Sequence, residues 1–461
     1  MIKYAFVVFV LFFIVLYIIP SLFYNKGASQ MGIWDKIKFS RLLFVYYKRG
    51  MLGFRKDDVK SLENFYIDDP FGILFFNKIQ KNYPNKVAVV DLYYNKLFFV
   101  ANPNTMKYVF ENSPNIFGPS IYKKIGFGNV MPENIGVTEC PYSKIKICKE
   151  FKDKRKMNEE IFRTNKEFDY YELMKSSVCK NIKHKIKSSD DMVEISYDII
   201  MDLFFGHKNK KLKQLLVDKF KFVDIDTDFN MYTIYHKLFV DRRPIIEIEN
   251  YIRNNDMGNS IFGMYKEYEK TNKKKFDLSN EIPHWIGPCA FIIKFYFPIL
   301  METILKRKDV YDNLLNEINS GILDIQSKNS YIHYCVVEFF RLYNVIFLQA
   351  FRRSLVDIEI NGVFYPKNSD IIFNTNTLLR DEKEFPKPNH YIPERWIYKT
   401  VEDQHINFGM GPQRCPSINY TPLLFKTMLL NVFSKYKYNL KLQYKTTEVP
   451  QWVNGYEISF D

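Results

Sequence analysis

Phe408-Gly-Met-Gly-Pro-Gln-Arg-Cys415-Pro416 is the stretch on which the reading of this chain turns. Gly409, Gly411 and Pro412 make a tight loop whose backbone can approach a flat ligand closely. Cys415 closes the loop, and an apolar run (Leu423, Leu424, Phe425, Met428 to Leu430) follows that reads as a helix. A thiolate just ahead of a helix N-terminus is stabilised by the helix dipole, and a thiolate suits a soft metal ion. Taken alone, the loop fits a glycine turn with an incidental cysteine equally well. Its surroundings must choose.

Working outward, Pro393-Glu-Arg-Trp396 lies upstream, and before it comes Asp357-Ile-Glu-Ile-Asn-Gly-Val-Phe-Tyr-Pro-Lys367, a small-sheet pattern. Further upstream stand Arg352 and, 11 residues before that, the end of Glu338-Phe-Phe-Arg341. A Glu and an Arg at i, i+3 are commonplace on helices. Here Val336, Val337, Phe339, Phe340 and Leu342 surround them, so both charges would be partly buried and would need partners. These features, in this order and ending on the Cys415 loop, resemble the cytochrome P450 family over roughly residues 65 to 461. The resemblance implies a mainly α fold with small β-sheets (α+β). It makes Cys415 the axial thiolate of a haem b iron, with Arg155 and Arg352 on the haem propionates. Phe408 would pack beside the thiolate, with Gly411 and Gln413 completing the cofactor loop. Glu338, Arg341 and Arg395 would form a structural charge cluster.

The N-terminal half is similar to the family in outline. Lys86 to Val100 reads as two strands joined near Asn95, and Asn102-Pro103 opens a helix through Phe110. Phe151-x-x-x-Arg155 stands where the family usually has Trp-x-x-x-Arg, and Phe151 lacks the indole donor. Two further departures fall in the loop. Gln413 replaces a propionate-binding Arg or His, with Arg414 displaced by one, and Ser417 replaces a glycine. A last one falls in Trp285 to Leu300, which reads as a core helix corresponding to the long helix over the haem. From Ile282 to Met301 there is no Ser, Thr, Asp or Glu, so the family's acid–alcohol pair for proton delivery is missing. Pro288, Cys289 and Ala290 occupy that neighbourhood. Gly287-Pro-Cys-Ala-Phe291 looks like the same segment of prostacyclin synthase and, less closely, of the sterol 7-hydroxylase branch, an isomerase and a monooxygenase respectively.

Composition sets the remaining bounds. The 461 residues are 47% hydrophobic and 17% aromatic, ample for a large core, and the net charge of +14 suggests an acidic partner or anionic lipid. No nucleic-acid-binding motif accompanies that charge. Cys140, Cys148, Cys179, Cys289, Cys335 and Cys415 form no CxxC pair and no disulfide framework, which favours a reducing compartment. Tyr4 to Phe23 carries no charge over 20 residues, about one hydrocarbon thickness as a helix. Lysines concentrated after it place the body on the cytosolic side, endoplasmic-reticulum-like. The expected layout is therefore an anchor at 1–24, a basic, aromatic linker at 25–64 and a P450-like haem domain at 65–461. The expected activity is a membrane-anchored monooxygenase acting on an apolar, lipid- or sterol-like substrate. Its electrons would come from NADPH through a reductase or a cytochrome b5-like donor. A peroxide-using isomerase or dehydratase, and a haem-binding protein without turnover, are the alternatives.

Overall fold

The computed structural model describes residues 25–37, 73–91, 95–121, 123–124, 130–140, 147–163, 170–182, 189–220, 242–343, 350–435, 438–442 and 456–460. In chain order the elements that matter are β1 (Ser29–Gln30), α1 (Ile73–Asn82), β2 (Val87–Asp91), β3 (Lys96–Val100), α2 (Pro103–Glu111) and β4 (Phe117–Pro119). Helices α3 (Lys149–Ile161), α4 (Tyr171–Asn181), α5 (Ser189–Ile200), α6 (Lys210–Phe220), α7 (Arg243–Asn254) and α8 (Ile261–Asn272) follow. Next comes a long rod, α9 (Leu278–Leu305), then α10 (Lys308–Asn319) and α11 (Tyr331–Leu342). Strands β5 (Ala350–Ser354), β6 (Ile358–Ile360), β7 (Val363–Tyr365) and β8 (Asp370–Phe373) precede α12 (Val401–His405) and α13 (Tyr420–Phe433). A hairpin of β9 (Tyr438–Leu442) and β10 (Tyr456–Phe460) ends the chain.

The main sheet has six strands in the order β1-β2-β3-β8-β5-β4. Its central strands are buried on both faces, and the pleat divides their side chains between two cores. Val87, Val89, Phe98 and Val100 pack with Met106, Val109 and Phe110 of α2, whereas Ala88, Val90, Leu97 and Phe99 pack with Phe75, Phe76 and Ile79 of α1. Asn102 caps α2, its Oδ1 accepting from the amides of Asn104 and Thr105, and Pro103 sits where no helical donor is needed. Both the hairpin and this helix start lie where the sequence predicts them. A third, larger core is mainly helical and gathers α3 to α8, α10 and α11 around α9 and α13.

Among the described residues, α9 is the one helix long and apolar enough to cross a membrane, and 82% of its most apolar window lies inside the fold. Burial by other helices explains its composition, as expected for Trp285 to Leu300. The anchor proposed at Tyr4 to Phe23 lies outside the described residues. With the span-length apolar helix found in mid-chain, the single N-terminal anchor and the cytosol-facing topology built on it are withdrawn. Apolar length alone does not separate a membrane span from a core helix; packing does. Pro288 removes the helical donor for the carbonyl of His284, and Pro298 does the same for Lys294. A π-turn at Ile292–Tyr296 directly precedes Pro298, as expected where the regular ladder has lost a donor.

The cysteine reading also needs correction. Cys140 and Cys148 form a disulfide, while Cys179, Cys289, Cys335 and Cys415 are free thiols. Their spacing in sequence resembled no framework, yet Cys140 and Cys148, the N-cap of α3, are joined.

Candidate functional site

The Cys415 loop begins where α12 ends. Asn407 is buried and its Nδ2 donates to the carbonyl of Val337 on α11 at 3.0 Å. Phe408 then packs its ring against Phe340 of the same helix, with centroids 5.6 Å apart. The Phe408 carbonyl accepts from the Cys415 amide at 2.8 Å, closing the loop on itself. Gly409 and Gly411 both have positive φ, +82° and +68°. At Gly411 a glycine is required twice over, since a Cβ there would lie 2.3 Å from the carbonyl oxygen of Phe110 at the end of α2. Cys415 Sγ lies 3.0 Å from Ser417 Oγ, which in turn accepts from Thr421 Oγ1 at 3.3 Å. The sulfur is half-buried, and α13 starts five residues after it.

One arginine reaches this loop, and a second lies against Phe110, whose carbonyl abuts Gly411. Arg155 on α3 donates through Nη1 to the carbonyl of Arg414, the residue before Cys415, and pairs through Nε with Glu159 at 2.6 Å. Arg352 on β5 is buried, donates through Nε to Ser113 Oγ at 3.2 Å, and holds its guanidinium 6.0 Å from the ring centre of Phe110. Phe110 thus touches both Gly411 and Arg352. No carboxylate pairs with Arg352 among the described residues, and burial lowers its pKa to about 10. Lys123 is pushed down to about 7 by burial and by the like charge of Arg352. A buried Arg352 and a half-buried Lys123 beside each other, with no anion on Arg352 among the described residues, form a site that an anionic group would complete. Gln413 adds an Oε1 buried without a partner among the described residues. A soft thiolate donor, a cation pair and a glycine-walled loop fit haem with its propionates. Lys123 was missed in the sequence because nothing near it marks it; only its position beside Arg352 does.

Behind the loop, α11 carries the charge cluster. Glu338 and Arg341 are fully buried, with Arg341 Nε and Nη2 on the two carboxylate oxygens at 2.8 and 2.9 Å. Arg395 Nε reaches Glu338 Oε1 at 2.9 Å, joined there by the Ile392 amide at 3.0 Å. Trp396 Nε1 donates to Oε2 at 2.9 Å, a partner the sequence reading left out. Arg341 also donates to the carbonyls of Leu379 and Pro388, both at 2.8 Å. Every face of the carboxylate is therefore occupied, which is what makes a buried charge tolerable. On the same helix His333 pairs with Gln404 at 2.9 Å. α11 thus grips the segment ahead of the ligand loop as well as the one carrying Arg395.

The stretch Pro288-Cys289-Ala290 is not brought against Cys415 by any hydrogen bond. Cys289 and Ala290 are buried in the helical core and Pro288 is exposed. Burial pushes the Cys289 thiol up to about 12, so it stays protonated and is a poor acid. One turn earlier, His284 Nδ1 lies 3.1 Å from Oε2 of the buried Glu281, which also accepts from Asn134 Nδ2 at 3.1 Å.

Residues 298–451 match the family model described as Cytochrome P450. The chain is also 27% identical over 162 residues to cytochrome P450 3A17 of Cavia porcellus, covering 33% of this chain and 31% of that protein. It is 29% identical over 153 residues to probable cytochrome P450 49a1 of Drosophila melanogaster, covering 29% and 25%. To cytochrome P450 71B31 of Arabidopsis thaliana it is 30% identical over 118 residues, covering 24% of each. The chain therefore spans about a third or less of the length of these curated relatives. The matched region contains Glu338, Arg341, Arg352, Arg395 and Cys415, so the C-terminal third of the chain is similar to the cytochrome P450 family.

Proposed function

We propose that the chain is a haem-thiolate monooxygenase that oxidises an apolar small molecule with electrons delivered by a reductase. The observation that carries this is the half-buried Cys415 thiol in a glycine-walled loop, with Arg352 and Lys123 gathered near Phe110 and no carboxylate on Arg352 among the described residues. Haem bound through a thiolate supplies the redox chemistry of oxygen activation. The chain's own residues would do the rest. Cys415 would hold the metal, and Ser417 Oγ, 3.0 Å from the sulfur, would place a hydrogen bond on it. Arg352 and Lys123 would neutralise a propionate, with Gln413 offering its amide, and Arg155 would reach the cofactor edge from the Arg414 side. Phe408 would limit water at the sulfur.

The long helix favours a second reading. The segment from Ile282 to Met301 has no acid–alcohol pair, and Cys289, at about 12, does not replace it. A substrate that already contains an O–O bond needs no such proton delivery, which fits an isomerase or dehydratase. The segment Gly287 to Phe291 looks like that of both an isomerase and a monooxygenase branch and does not choose between the two readings. Purified full-length chain loaded with haem decides between the two. Product that depends on NADPH and reductase supports the monooxygenase, turnover of a lipid hydroperoxide without reductase supports the isomerase, and haem binding with neither leaves a non-catalytic protein.

A further inference from the structure

The Cys140–Cys148 disulfide joins two parts of the molecule that matter to the site. Cys140 ends the segment 130–140, which is pinned to the start of α9: Asn134 Nδ2 donates to Glu281 Oε2, and the Glu133 amide donates to Asn280 Oδ1 at 3.0 Å. Cys148 is the N-cap of α3, its carbonyl accepting from the Lys152 amide at 3.2 Å. Cys140, Ile135 and the buried Phe151 form a small cluster of their own, with Ile147 and Cys148 packed against it. One turn beyond Phe151, Arg155 reaches the Arg414 carbonyl beside Cys415. The S–S bond therefore ties the first turn of α3, and through it Arg155, to the α9 side of the fold.

We propose that this bond is a reversible thiol switch: oxidised, it fixes the first turn of α3 and holds Arg155 against the Cys415 loop; reduced, it releases both. Access is asymmetric. Cys140 is buried and Cys148 half-buried, so an incoming dithiol meets the Cys148 sulfur. Its thiolate attacks Cys148 Sγ, the S–S bond breaks, and Cys140 leaves as a thiolate that takes up a proton. The second thiol of the reductant then displaces Cys148 and closes the reductant's own disulfide. Two electrons pass from the dithiol to the protein, leaving two cysteine thiols. The position of Cys148 at the N-terminus of α3 favours it as a thiolate on the return path. Its four fellow cysteines stay free, so the pair is set apart within the same chain.

The inference rests on the haem-thiolate reading only for its consequence at the cofactor, and the decisive measurement does not need haem. Full-length protein is equilibrated in oxidised or reduced dithiothreitol, with alkylation and intact mass reporting the state of Cys140 and Cys148. Amide hydrogen exchange is then followed in α3. Exchange at Lys152 to Arg155 should be at least about tenfold faster after reduction. The Cys140→Ser/Cys148→Ser double variant should show the fast rate in both buffers. Equal rates in oxidised and reduced wild type, or alkylation of both cysteines under oxidising conditions, would overturn the switch. In haem-loaded protein, reduction should speed haem loss several-fold, and an unchanged rate would remove the link to Arg155. Redox-dependent exchange in a protein that takes up no haem at all would support the switch and refute the cofactor reading.

Discussion

Replacing Glu338 by Gln keeps the shape of the side chain and removes its charge from a site with no exposure to water. In the native protein Oε1 accepts from Arg341 Nη2, Arg395 Nε and the Ile392 amide, and Oε2 accepts from Arg341 Nε and Trp396 Nε1. A glutamine can leave its oxygen at one of these positions only. At the other, an NH2 group confronts two donors. At least two charge-assisted or buried hydrogen bonds are then lost, each worth roughly 1 to 3 kcal/mol. Two guanidinium groups also lose their counter-charge, and removing one partner of a buried pair costs about 3 to 5 kcal/mol. These terms overlap, so the expected loss is about 4 kcal/mol, a large share of a domain stability of roughly 5 to 15 kcal/mol. Urea unfolding followed by far-ultraviolet circular dichroism should show the midpoint fall accordingly. Should Glu338→Gln fail to accumulate as folded protein, Trp396→Phe isolates a single hydrogen bond and should cost about 1 to 2 kcal/mol. A Glu338→Gln protein destabilised by less than about 1 kcal/mol would refute the view that this carboxylate organises α11 and the Arg395 segment.

Gly411→Ala should destabilise the ligand loop by about 3 kcal/mol or more, because the residue needs a positive φ and its Cβ would collide with the Phe110 carbonyl; a fully native urea midpoint would contradict this. Lys294, buried in α9, is lowered by that burial from 10.5 to about 7. Between those two values the unfolded chain binds the proton and the folded chain does not, so this group makes stability rise with pH across that window. Below pH 7 its cost is present in full, and Lys294→Met should raise the urea midpoint most there, with the gain fading toward pH 10. Lys123→Met should stabilise the haem-free protein by relieving repulsion with Arg352, yet speed haem loss by removing a propionate partner. Urea midpoints and haem transfer to apomyoglobin measure the two effects, and a change of the same sign in both would remove Lys123 from the site.

Parts of the fold are legible in the sequence because local chemistry dictates them. Asn102-Pro103 announces a helix start, Val87 to Val100 alternates into two cores, and Gly411 is glycine for a reason its backbone supplies. Glu338 and Arg341 sit one helical turn apart, so their pairing follows from spacing. Contacts between distant segments are another matter. Nothing near Asn407 says that its amide will meet the Val337 carbonyl, and nothing near Lys123 says that it will face Arg352. Those pairings come from how α2, α11 and the sheet pack. The cysteine reading failed for the same reason, since no spacing rule in the sequence pairs Cys140 with Cys148. Apolar composition misled differently: a long run such as α9 looks the same whether lipid or other helices cover it.

The ferrous carbon monoxide spectrum of the purified chain tests whether Cys415, as proposed, binds haem iron as a thiolate. Thiolate ligation should give the long-wavelength band, lost in Cys415→Ser while far-ultraviolet circular dichroism stays native. A folded wild-type protein that takes up no haem when supplied with it, or a Cys415→Ser protein with the same band, would contradict it.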